Sequence, residues 1–258
     1  MIEKILEKFK NDERVEAIAL GGSRAGENFD EKSDYDIYVY YNEMIPEKER
    51  KEIYLEVCSK IEIGNHYWEY EDNGVLNDGV EFDVVYRKLD DFINGISYVV
   101  DKCNSHNGYT TCMWHNLINC KILFDKNKKL EKYQKQYSID YPKKLKENII
   151  LRNMNLLSDA LPAYKGQIKK ATGRADVVSI NHRITEFLAS YFDIIFALNE
   201  LTHPGEKRLV EISLKKCKKL PKNFSQNIEN LLKNIVVNNE NVNLYIQEIV
   251  RELKEILK

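Results

Sequence analysis

Two aspartates stand two residues apart in the run Ser33-Asp34-Tyr35-Asp36, and the residues through Tyr41 (YDIYVYY) are strand formers. Side chains two apart on a strand project from the same face. Asp34 and Asp36 are therefore expected side by side, with Tyr35 on the other face. Neighbouring anionic groups repel, which is costly unless a cation bridges them. Hard oxygen donors of this kind suit Mg²⁺, which keeps several waters and completes its shell with substrate phosphates.

Just upstream, Val15–Leu20 (VEAIAL) reads as a buried strand entering the turn Gly21-Gly22-Ser23-Arg24. The glycine pair lets the backbone turn tightly and approach a ligand. Ser23 offers a hydroxyl and an N–H, and a helix starting here would present free N–H groups to a triphosphate. Arg24 could add a charge-assisted contact to the same phosphates. The short segment between Ala25 and Ser33 would hold this cradle near the two carboxylates. A third acid, Asp83, lies in the strand-like run 80–86 (VEFDVVY), with Glu81 on its face by the period-two rule. In a two-metal phosphoryl transfer, Asp83 would ligate the acceptor-side ion, act as general base for the acceptor hydroxyl, or do both. Glu81 and Glu69 are the alternative acids; Asp83 is favoured because it lies deeper in the apolar run. Gly-Gly-Ser by itself is usually a turn and Asp-x-Asp by itself usually surface charge. It is their order and spacing that point to chemistry.

The elements that must position these residues are short strands mixed with helices. Ile2, Ile5, Leu6 and Phe9 have helical spacing; a helix is expected from Pro46, with Ile53, Val57 and Ile61 on one face as far as Gly64. The polar, Lys-rich stretch 126–146 reads as a linker into a helix start. Beyond it the pattern is helical: 149–161 stopped by Pro162, a long helix 180–201 capped by Ser179, then 206–220, 223–235 and 242–257. The expected fold class is α+β: a mixed-sheet catalytic domain over residues 1–125 and a C-terminal helical bundle over 126–258, with sizes ordinary for domains.

The run Gly21-Gly22-Ser23 … Ser33-Asp34-Tyr35-Asp36 … Asp83 resembles the signature of the polymerase-beta-like nucleotidyltransferase superfamily. Gly-Gly-Ser-Arg-Ala with Ser-Asp-Tyr-Asp is similar to a bacterial group related to aminoglycoside and lincosamide nucleotidyltransferases, and Phe196-Ala197-Leu198-Asn199 … Pro204-Gly205-Glu206-Lys207-Arg208 resembles that group too. The resemblance implies a mixed-sheet catalytic domain, a helical C-terminal domain and Mg²⁺-dependent transfer of a nucleotide. The expected reaction moves a nucleoside monophosphate, AMP foremost, from an NTP (ATP) to a hydroxyl of a small acceptor such as an aminoglycoside or lincosamide, an antibiotic-resistance activity. Asp34, Asp36 and Asp83 would hold two Mg²⁺ ions and carry catalysis, and Gly21, Gly22, Ser23, Arg24 and Ser33 would bind the nucleotide. Trp68, Glu81 and Glu186 are candidates for acceptor binding, against bland readings of Trp68 as an aromatic core residue and of Glu186 as part of a solvated helix end or an intrahelical pair. A protein or tRNA acceptor, as in toxin–antitoxin pairs, is the alternative; a nucleotide-binding module without catalysis is a third, disfavoured by the intact carboxylates.

Bulk composition narrows the partners. A net charge of −2 argues against broad electrostatic capture of nucleic acid, and the Lys-rich segments 126–146 and 207–222 are interrupted by Glu and apolar residues, as solvated helix faces are. Five cysteines without C-x-x-C spacing suggest neither disulfides nor a zinc knuckle. No run approaches the roughly 20 apolar residues of a membrane span and no signal-peptide core follows Met1, so a cytoplasmic monomer or homodimer is expected.

Overall fold

The computed structural model describes residues 1–25 and 33–258 and divides into two compact units. The first comprises residues 1–97 and 116–139, the second residues 98–115 and 140–258.

The elements of the first unit begin with α1 (Ile2–Lys10), β1 (Val15–Leu20), α2 (Gly22–Ala25) and β2 (Tyr35–Tyr41). Next come α3 (Glu47–Tyr54), β3 (Cys58–Asn65), β4 (Glu71–Leu76) and β5 (Glu81–Lys88). Helix α4 (Leu89–Val100) leads out of this unit and α5 (Cys112–Asn119) leads back, followed by β6 (Lys121–Asp125) and α6 (Lys129–Tyr137). The strands form one mixed sheet in the order β3-β4-β5-β2-β1-β6; β2 and β5 run parallel and the other neighbours antiparallel. One face carries Ile18, Ile37, Val39, Phe82, Val84 and Tyr86, packed with Ile2, Ile5 and Phe9 of α1 and Tyr54 of α3. The helical spacing of the first residues thus buries one stripe of α1 against the sheet. Residues of the opposite parity, Asp36, Tyr38 and Tyr40 on β2 and Asp83 and Arg87 on β5, share the other face.

That same face of the sheet is not wholly polar. Tyr40 is fully buried there, its ring 5.6 Å from that of Phe92 on α4.

Two expectations change in this unit. The helix begun at Pro46 ends at Tyr54, and the chain from Cys58 is a strand. Ile61 and Ile63 are two residues apart, pack against the apolar core, and β3 pairs along β4. Strand pairing overrides a helical spacing that only three residues supported. The stretch expected as a linker holds α6, whose Leu130 and Tyr137 are buried and whose Glu131 N–H donates to Asp125 Oδ2 at 2.8 Å.

The second unit holds α7 (Lys143–Met154) with a π-helical turn over Asn155–Asp159, then α8 (Tyr164–Thr172) and α9 (Val177–Leu198). It ends with α10 (Leu209–Lys216), α11 (Phe224–Val237) and α12 (Asn239–Leu257). Helix α9 is the axis of its core: Ile184, Phe187, Tyr191 and Ile195 meet Ile168, Leu231, Ile246 and Leu253 from the helices around them. A helix buried on most sides in its C-terminal half must be apolar nearly all round, as residues 190–197 are. Its start is three residues earlier than expected of a Ser179 cap. Asp176 is the cap, its carboxylate accepting the Ser179 N–H at 3.0 Å.

Candidate active site

The site starts from strand register. β2 and β5 pair in parallel with Asp36 opposite Asp83, so two carboxylates from segments 47 positions apart stand side by side on one face. Asp34, at the entrance to β2, adds the third. One carboxylate oxygen from each of Asp34, Asp36 and Asp83 lies within 4.8 Å of the other two, and all three residues are partly exposed. Three hard anionic donors at this spacing fit a divalent cation of the Mg²⁺ type.

The glycine turn is built around Asp36. Gly21 N–H donates to the Asp36 carbonyl at 2.8 Å, tying the end of β1 to β2. Gly22 opens α2 with φ +57°, and a Cβ there would stand 2.6 Å from the Asp36 Cγ. Only a glycine combines that backbone with that approach. Ser23 lies in α2, but its side chain is outside the described residues, as is the connection 26–32 between the cradle and β2. Arg24 is engaged with the backbone: its Nε donates to the carbonyls of Ser33 at 2.7 Å and Asp34 at 3.1 Å, and its guanidinium lies 3.9 Å from the Tyr35 ring centroid. It braces the segment that carries Asp34. Ser33, partly exposed, is held through its carbonyl in this brace.

Around Asp83 the structure adds residues that the sequence pattern did not single out. Asn73 on β4 is its register partner and donates from Nδ2 to Asp83 Oδ1 at 2.7 Å. Asn65, at the end of β3, donates in turn to Asn73 Oδ1. Glu71, largely buried on the same face, has its carboxyl pushed up by burial, against a hydrogen bond from Asn73 and with the Asp83 and Glu69 charges adding to the rise. β4 is hard to recognise in the sequence because Glu71-Asp72-Asn73-Gly74 reads as a loop. The signal was the alternation of Glu69, Glu71 and Asn73 facing the acids of β5.

Farther along this face, Arg87 forks onto both oxygens of Glu69 (2.8 and 2.6 Å) and donates to Asn116 Oδ1 at 3.0 Å. Its guanidinium stacks 4.4 Å from the Tyr38 ring centroid. Burial pushes the Tyr38 phenol up while the Arg87 charge opposes the rise. Of the acceptor candidates, Glu81 is exposed at the start of β5, on the face of Asp83. Trp68 is 88% exposed in the loop joining β3 to β4, beside Glu69. Glu186 belongs to the second unit, exposed on α9, with Tyr164 Oη 3.5 Å from its Oε2.

A sheet that aligns three aspartates behind a glycine turn defines a class, and comparison with known proteins gives the same class. Residues 3–68 match the family described as Polymerase beta, Nucleotidyltransferase. The N-terminal part of the chain therefore carries a nucleotidyltransferase domain of the polymerase-beta type, the domain of a nucleotidyl-transfer enzyme. The match includes Asp34 and Asp36 and stops short of Asp83, whose place in the cluster comes from the fold. No curated protein matches the chain significantly. Among solved structures, a nucleotidyltransferase-like protein from Exiguobacterium sibiricum 255-15 overlays with a TM-score of 0.44 at 11% identity, covering 99% of this chain and 72% of that one. An aminoglycoside 6-adenyltransferase from Bacillus subtilis gives 0.31 at 13% identity, covering 100% and 90%. The Thermotoga maritima CCA-adding enzyme complexed with tRNA gives 0.27 at 12% identity, covering 99% and 81%. Overlaps this loose define neither the donor base nor the acceptor. Among the described residues no helix is long and apolar enough to cross a membrane.

Proposed function

We propose that the chain transfers a nucleoside monophosphate, AMP foremost, from an NTP to a hydroxyl of a small cationic acceptor of the aminoglycoside kind. The observation that carries this reading is the trio Asp34, Asp36 and Asp83, with ligand oxygens within 4.8 Å of one another beside a glycine that leaves room for nothing larger. Asp34 and Asp36 would hold Mg²⁺ against the triphosphate, and Asp83 would complete the set on the acceptor side. Bound there, Mg²⁺ neutralises phosphate charge and makes the acceptor hydroxyl easier to deprotonate. Gly22 and Ser23 would cradle the phosphates with backbone N–H groups, Gly21 would set the turn by tying its own N–H to the Asp36 carbonyl, and Arg24 holds the strand entrance so that Asp34 keeps its place. The acceptor oxygen bonds to the α-phosphorus as the bond to the β-phosphate oxygen breaks. Pyrophosphate departs with the electron pair, and the acceptor proton passes to Asp83.

The acceptor class rests on charge. Glu71 and Glu81 stand on the same side of the sheet as Asp83, Glu71 largely buried, while Glu69 on that side is matched by Arg87. Such a face favours an acceptor carrying amines over a neutral or anionic one.

The test is transfer of label from α-labelled ATP, GTP, CTP and UTP to aminoglycosides, lincosamides and tRNA. Label is expected on an aminoglycoside with ATP as donor, and Asp36→Ala should abolish both transfer and the Mg²⁺-dependent part of ATP binding seen by calorimetry. ATP binding without transfer to any acceptor would reduce the chain to a binding module, and label confined to tRNA would replace the small acceptor with a macromolecular one.

A further inference from the structure

We infer that Asn73 is the positioning residue of the third acid, and that a β-bulge at Gly64 exists to aim the residue that holds it. The inference rests on the metal-bound reading of Asp34, Asp36 and Asp83.

The starting point is the chemistry of the pair. An ionised carboxylate only accepts hydrogen bonds, so the Asn73 side chain can meet Asp83 Oδ1 only through its NH₂, and it does so at 2.7 Å. The Asn73 carbonyl oxygen must then point away, toward a donor, and Asn65 Nδ2 supplies one. The amide is held at both ends. With Oδ1 engaged, the Asp83 carboxylate cannot rotate freely about its last torsion, which is broad and weakly restrained otherwise. Both of its oxygens keep fixed places relative to Asp34 and Asp36.

Asn65 reaches this position through an irregularity in the strand. β3 and β4 pair with Ile61 opposite Gly74 and Glu62 opposite Asn73, but Asn65 stands opposite Glu71, one residue out of register. In regular pairing Asn65 would face away from Asn73; the extra residue turns it to the same face. Gly64 absorbs the shift with φ +72°, and its N–H donates to Asp72 Oδ1 at 2.8 Å. Asp72 lies on the reverse face of the sheet, where Arg50 Nε reaches its Oδ2 at 2.9 Å, both side chains fully buried. A line of contacts thus runs from Arg50 through Asp72, Gly64, Asn65 and Asn73 to Asp83.

The experiment compares Asn73→Ala, Asn65→Ala and Asn65→Asp with wild type, each checked by circular dichroism for folding. Mn²⁺ binding is read by electron paramagnetic resonance in the presence of a non-hydrolysable ATP analogue, and kcat and KM are read where transfer is measurable. Asn73→Ala should weaken Mn²⁺ binding and lower kcat by about 10- to 100-fold, while KM for ATP moves by less than about threefold. Asn65→Asp is the sharper variant. An acceptor at position 65 would draw the Asn73 NH₂ toward itself and turn the Asn73 oxygen onto Asp83. It should therefore weaken Mn²⁺ binding more than Asn65→Ala does, although its added negative charge alone would tighten it. Wild-type Mn²⁺ binding in Asn73→Ala, or an Asn65→Asp no weaker than Asn65→Ala, overturns the inference. Wild type that binds Mn²⁺ but transfers nothing overturns the proposed reaction instead, and the Mn²⁺ comparison still decides the role of Asn73.

Discussion

An alanine at position 22 would need φ near +57°, and its methyl would stand 2.6 Å from the Asp36 Cγ. The backbone cost for an L-residue there is about 1–2 kcal/mol, and Asp36 must also move. Gly22→Ala is expected to lower the melting temperature modestly and to weaken Mn²⁺ binding by about tenfold or more; a variant that binds Mn²⁺ normally would show that Asp36 is not held by this contact. Asp34→Asn tests the charge cluster. Three carboxylates with oxygens within 4.8 Å repel without a cation. In metal-free buffer the variant should melt no lower than wild type, whereas 10 mM Mg²⁺, roughly the excess at which mass action becomes visible, should raise the melting temperature of wild type only. Thermal shift with and without EDTA reads both.

At the scale of elements, β4 carries two networks on alternate residues. Glu71 and Asn73 share the face of Asp83, Asn73 bonded to it, while Asp72 faces the apolar core as a buried partner of Arg50, with the Tyr54 and Tyr86 hydroxyls also on its Oδ2 at 3.1 and 2.8 Å. Burial pushes both phenols well up, the neighbouring Asp72 charge adding to it. Removing one partner of a fully buried, hydrogen-bonded ion pair leaves the other charge stranded, at about 3–5 kcal/mol. Asp72→Ala should therefore destabilise the first unit by that order in urea unfolding followed by circular dichroism. A loss below about 1 kcal/mol would mark the pair as no better than a surface one.

At the scale of the molecule, the second unit has an acid response that can be written from three buried or partly buried groups. His203 is fully buried between the rings of Tyr109 and Phe196, and burial, with His115 nearby, holds it down at about 4. Burial, aided by the Lys216 charge, holds His115 at about 4 as well. Asp193 goes the other way, raised to about 6 by burial against hydrogen bonds from Thr110 and Asn153. As pH falls from 6.5, the unfolded chain protonates both histidines while the folded chain does not, so stability is lost down to pH 4. Between pH 6 and 3.8 the folded chain holds a proton on Asp193 that the unfolded chain does not, so stability is gained as pH falls. From pH 6 to 4 the net is one proton, a loss of about 1.4 kcal/mol per pH unit from these groups. Asp193→Asn removes the opposing term, so its stability should fall about twice as steeply. Urea midpoints at several pH values, read by fluorescence of the buried Trp114, measure the slopes; equal slopes would mean that Asp193 is ionised throughout.

Local pattern was enough for the parts of this protein whose cause is local. The strand formers of 35–41 and 15–20 lie where the sequence places them, and period two alone puts Asp34 and Asp36 on one face. The glycine turn was legible as a turn, but that Gly22 is required by Asp36 is a matter of a contact across two strands. The polar strand β4 left only the alternation of Glu69, Glu71 and Asn73, and the bulge at Gly64 and the bond from Asn73 to Asp83 leave no periodic trace, because each depends on pairing between segments distant in the chain. The same holds for residues 98–115, which join the second unit through bonds such as Thr110 to Asp193. The sequence by itself named the three aspartates and the glycine turn as candidates. Tertiary structure decided which of them meet, since register between strands is a property of pairs and no single strand contains it.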